Sequence, residues 1–85
     1  TAMHVTILFG DREKKSAPDQ IAARARAVVD RALTRIGGQV PTGPVWHSVA
    51  TQIRCREQAE FLELLEAITL DCAQRNVAVM GVRCA

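Results

Sequence analysis

Apolar and polar residues alternate from Met3 to Phe9, with Met3, Val5, Ile7 and Phe9 on one side of the chain and His4, Thr6 and Leu8 on the other. A period of two, rich in β-branched and aromatic residues, predicts a strand that Gly10-Asp11 ends. After a polar loop over Gly10–Ser16 the period changes. Ile21, Ala25, Val28, Val29, Ala32, Leu33 and Ile36 recur at helical spacing. They predict a helix of about 18 residues, started by Ser16 as a cap with Asp19 three positions on, and stopped by Gly37-Gly38.

Gln39–Pro44 holds two prolines and a glycine and predicts a turn, with a short edge strand over Gly38–Val40 before it. Alternation from Val45 to Cys55 then predicts one long strand, its Val45, Val49, Ile53 and Cys55 facing the core and its Trp46, Ser48, Gln52 and Arg54 facing away. Glu57–Gln74 reads as a second helix with a stripe of Phe61, Leu64, Leu65, Ile68 and Cys72, widened by Leu62 and closed near Asn76. The last strand, Val77–Cys84, is apolar on both sides, Val77 and Val79 on one and Ala78, Met80 and Val82 on the other.

This order of elements predicts an α+β fold of the ferredoxin-like βαββαβ kind. It is a two-layer sandwich in which an antiparallel sheet, strand order 4-1-3-2 with a short second strand, carries two helices on one face. Residues 3–85 read as a single domain without repeat or linker, and Thr1-Ala2 as a non-native extension ahead of a start at Met3.

With 48% hydrophobic and 24% charged residues in 85, the chain has an ordinary globular balance and is neither disordered nor collagen-like. A chain this short buries only about 60 to 65% of its surface, so stabilisation by a partner subunit is expected. The longest uncharged apolar runs, Val5–Phe9 and Val77–Val82, fall far short of the roughly 20 residues that cross a bilayer. No membrane role is expected. The three cysteines are odd in number and widely spaced, which fits neither a disulfide framework nor a zinc site, and predicts reduced thiols in a cytoplasmic protein with no metal and no cofactor.

The element order itself does not specify an activity, because this fold carries many. Candidate chemistry comes from individual surfaces. The uncovered sheet face is expected to expose Leu8, Trp46 and Met80 among Ser48 and Gln52, and such a patch predicts a non-catalytic module that homodimerises or docks a protein partner there. A different class of function, anion or nucleic-acid binding, is suggested by Arg12, Lys14, Lys15 and Ser16 at the start of the first helix, together with Arg24, Arg31 and Arg35 along it. Acidic neighbours Asp11, Glu13 and Asp19 dilute that charge, and open-face aromatics for stacking on bases are scarce.

Catalysis needs a nucleophile, a base within reach and a group that orients the base. Only His4 and His47 are available as histidine bases. His47 is expected on the Val45 side as a partly buried structural residue, with Ser48 pointing the other way. Cys55 and Cys72 fall on core positions and Cys84 near the terminus. No set of residues specifies a reaction, and a non-enzyme is the expectation.

Overall fold

The alternation in the first segment and the two helical stripes form the elements they predict. The computed structural model describes residues 3–36 and 42–84, in the order β1 (Met3–Gly10), α1 (Pro18–Ile36), β2 (Thr42–His47), β3 (Ala50–Cys55), α2 (Gln58–Cys72) and β4 (Ala78–Cys84). The strands form one antiparallel sheet in the order β2-β3-β1-β4, with the helices packed on one side, so the architecture is a small α+β sandwich of the ferredoxin-like kind.

The core lies between the layers. Val5, Ile7 and Phe9 of β1 and Ile53 and Cys55 of β3 meet Ala25, Val28, Val29 and Leu33 of α1 and Leu64, Ile68 and Cys72 of α2. α1 begins at Pro18, a residue whose missing N–H and set φ suit the first helical position. Its start is capped by Gln20, whose side chain accepts from the Ala17 N–H at 3.1 Å, and Ser16 accepts from Arg24 instead. Beyond α2, Asn76 adopts a left-handed φ of 55°, and the Val77 N–H reaches back to the Cys72 carbonyl, which ends the helix and turns the chain into β4.

Two departures from regular alternation change which residues share a face. The long strand expected over Val45–Cys55 is a hairpin: Ser48 and Val49 form a two-residue turn, with His47 paired to Ala50 and Ser48 at a φ of 55°. Reversal by two residues puts 47 and 50 on the same face, whereas an uninterrupted strand would put them on opposite faces. Every residue before the turn is therefore flipped relative to the sequence expectation. Trp46 falls on the helix side opposite Thr51, and Val45 and His47 fall on the open side. His47 is exposed, not the partly buried residue expected, and Ser48 is exposed in the turn.

The second departure is in β4. Its register against β1 shifts between Leu8 and Phe9, so Val79 pairs with Phe9 but Gly81 with Leu8, and Met80 is the extra residue of a bulge. The expected grouping of Ala78, Met80 and Val82 is thereby split: Val82 pairs with Ile7 on the helix side, while Met80 lies against Gly10, where a Cβ would stand 2.6 Å from its Cγ.

The edge strand expected at Gly38–Val40 lies outside the described residues. The observed edge strand, β2, runs through Gly43-Pro44, where a register shift between Thr42 and Val45 absorbs the proline that cannot donate to the ladder.

Leu64 and Ile68 are fully buried, and Leu65 is only half-buried. Leu64→Ala is expected to lower the unfolding free energy by about 2 to 5 kcal/mol in a denaturant titration, and Leu65→Ala by less. Trp46 fluorescence reports this transition, because the indole is packed against the core and shifts to the red on unfolding.

Candidate functional site

Trp46 is held by three neighbours. Its ring stacks on Phe9 at 6.0 Å between centroids and an angle of 30°, the Arg26 guanidinium lies over the ring 5.6 Å from its centroid, and Thr51 is paired with it across the strands. The Thr51 hydroxyl, fully buried, donates to the Val45 carbonyl at 3.2 Å and ties β2 to β3. Trp46 thus seals the edge of the core, and it does not line the open face.

The open face is a grid of side chains set by strand register. One row across the sheet is His47, Ala50, Leu8 and Gly81; the next is Val45, Gln52, Thr6 and Arg83; Arg54 and His4 are paired in a third. Leu8, Val45 and Met80 remain 45%, 54% and 55% exposed, respectively: Leu8 and Met80 lie toward the Gly10 end of β1, and Val45 lies on the β2 edge in the row of Arg83, so that large apolar side chains on this face are left open to a partner. A Cβ at Gly81 would meet nothing within 4 Å, so a shallow gap lies beside Leu8. The other end is polar and cationic, with Arg54, Arg83 and His4, and no acidic side chain falls among these described positions.

Of the residues expected at an interface, Leu8, Gln52 and Met80 share this face. Trp46 and Ser48 do not, for the reason of the hairpin. Val45, Arg54 and Arg83 belong to the face as well. The Ser48-Val49 turn lacks the Asn-Gly or Asp-Gly signal that would have exposed this from sequence.

The residues expected to bind an anion are not brought together. Asp11 is buried under the loop and accepts from the backbone N–H groups of Glu13, at 3.0 Å, and Ser16, at 3.1 Å. Lys14 closes the turn with a φ of 54°, its N–H donating to the Asp11 carbonyl. Lys15 pairs with Glu13 at 3.5 Å, both well exposed, a contact of little energetic weight. Ser16 Oγ accepts from Arg24 at 2.9 Å.

Arg31 and Arg35 lie on the last turns of α1, more than about 20 Å along the axis from Ser16 at a rise of about 1.5 Å per residue. They line a hollow between the helices with Asp71, Leu70 and Gln74, and there Asp71 bridges Arg31 at 3.2 Å and Arg75 at 3.4 Å. Arg12 lies beside a separate small hollow at the end of α2.

Thiol chemistry divides by burial. Burial, and secondarily the charge of Asp71, pushes the Cys72 thiol up to about 11, and burial with Glu60 raises Cys55, so neither forms a thiolate readily at neutral pH. Cys84 is exposed, and β1 separates it from Cys55. Among the described residues no three His, Cys, Asp or Glu side chains are placed to hold a metal ion, and no helix is long and apolar enough to cross a membrane.

An aromatic disulfide reagent at pH 8 is expected to titrate Cys84 rapidly in the folded protein, and Cys55 and Cys72 only after denaturation; rapid reaction of all three cysteines would contradict this packing. The Ser16 side chain first, then the Glu13 N–H, hold the Asp11 carboxyl below its ordinary 3.8. A depressed carboxyl contributes stability that is present above its unfolded value and lost as pH falls through its folded value. Asp11→Asn is therefore expected to lower the thermal midpoint at pH 7, with the difference from wild type shrinking as pH drops below 3.8. A difference that is constant down to pH 2 would refute the role given to the ionised carboxyl. Comparison of the chain with family models, with curated proteins and with solved structures finds no match, so what the site does is argued from its geometry.

Proposed function

We propose that this domain is a non-catalytic association module whose open sheet face packs against the same face of a second copy. The observation that carries the reading is that three large apolar side chains, Leu8, Val45 and Met80, are exposed on a face that neither helix covers. Burying each such side chain is worth about 1.5 to 3 kcal/mol, less the cost of association.

The polarity of the face selects the symmetry. A two-fold axis crossing the strands along the Leu8 row lays that row on its own counterpart, so Leu8 meets the Leu8 of the other copy beside the open space at Gly81. The same axis carries Arg54 and Arg83 of one copy away from those of the other. An axis running along the strands would stack the arginines, at a Coulombic cost. With only three large apolar side chains exposed on the face, an affinity in the micromolar range is expected.

Sedimentation equilibrium over about 1 to 100 µM is expected to show a reversible monomer–dimer equilibrium. Leu8→Lys is expected to weaken it by about tenfold or more with the fold intact, because Leu8 contributes to the open face and not to the core. A strictly monomeric wild type at 100 µM, or an unchanged equilibrium in Leu8→Lys, would overturn the proposal.

A further inference from the structure

The open face carries its cationic side chains toward the Met3 end of β1. Arg54 on β3 and Arg83 on β4 flank β1, with His4 paired to Arg54 and Thr6 paired to both Arg83 and Gln52. The two arginines are therefore two strand spacings apart and offset by two residues, about 12 Å from each other, with donor side chains between them. Both are exposed, and among the described residues neither is in an ion pair.

Most of the other basic residues are engaged: Lys15, Arg31, Arg56 and Arg75 have acidic partners, Arg24 donates to Ser16, and Arg26 is stacked on Trp46. Arg12 and Lys14 in the loop before α1, and Arg35 in its last turn, are in no ion pair among the described residues either, but they lie off the open sheet face. Arginine forks are weakly hydrated and match phosphate oxygens two at a time, so unpaired arginines beside further donors make the stronger phosphate contact.

We infer that Arg54 and Arg83, with His4, Thr6 and Gln52, form a binding surface for the sugar–phosphate backbone of a single-stranded nucleic acid. The patch lies on open sheet surface instead of in a hollow, which suits an extended polyanion better than a small enclosed ligand. No Phe or Trp side chain occupies the described positions of this face, Trp46 being on the helix side, so base stacking is confined to the imidazoles of His4 and His47 and binding is largely independent of sequence. With two arginines per copy, affinity is modest and strongly dependent on salt.

The test is fluorescence anisotropy of a labelled 20-nucleotide oligothymidine and an oligoadenosine at low salt. Both are expected to bind alike. The double variant Arg54→Gln/Arg83→Gln is expected to lose about tenfold or more, and to reduce the slope of log affinity against log salt by about 1.4, from about 0.7 per phosphate contact. Lys14→Gln/Lys15→Gln, in the loop, is expected to change binding by less than about twofold. Arg54→Lys/Arg83→Lys keeps the charge but not the fork and is expected to keep the salt slope while binding a few-fold more weakly; it serves if the glutamine pair folds poorly.

Absence of binding, equal loss in the loop variant, a salt slope reduced in the lysine pair as much as in the glutamine pair, or equally tight binding of poly-glutamate would each overturn the assignment. Both arginines belong to each copy, so the patch is complete in the monomer. Leu8→Lys fails to dimerise under the first proposal yet retains oligonucleotide binding under this one.

Discussion

Four strands side by side offer two faces of equal area, and two helices, each about 10 Å across, are wide enough for one of them. All the hydrophobic burial of this small chain must therefore come from a single layer contact. Val5, Ile7, Ile53, Val28, Leu64 and Ile68 are fully or almost fully removed from solvent there, while the other face of the same strands keeps Leu8 and Val45 in water. The arrangement is stable only because β1, at the centre of the sheet, places an apolar side chain at every helix-side position from Met3 to Phe9. The exposed face is the other half of that same alternation.

Two local irregularities then decide the composition of the faces. The Ser48-Val49 turn reverses the chain and sends Trp46 to the core side, where Phe9 and Arg26 enclose it and Thr51 anchors its strand. The bulge at Met80 exploits Gly10, where the absence of a Cβ leaves space for the methionine, and it returns Val82 to the helix side. Without these two features the open face would hold Trp46 and lack Val45, and its surface would differ in size and chemistry.

Charge is segregated by element. From Glu57 to Gln74 the chain carries Glu57, Glu60, Glu63, Glu66 and Asp71 and no basic residue, whereas the described positions of the open sheet face carry Arg54 and Arg83 and no acidic one. The loop before α1, despite its lysines, is organised inward around buried Asp11. Its carboxylate spends its hydrogen-bonding capacity on its own backbone, and the loop's basic side chains are not focused on any one point. A near-neutral total therefore hides a molecule with an acidic helix and a cationic half-face.

Hydrophobic period alone determined most of the fold: both helices, the first and last strands, their order and the single covered face follow from stripes such as Ile21 to Ile36 and Leu64 to Cys72, because each needs a core to bury it. The sheet face with Leu8, Gln52 and Met80 was legible for the same reason. What only the tertiary structure decided was register. A two-residue reversal and a one-residue bulge leave local composition almost unchanged, yet each inverts the facing of every residue on one side of it. The partners of individual charges were equally hidden, since Arg31 meets Asp71 and Arg26 meets Trp46 only after distant segments have packed.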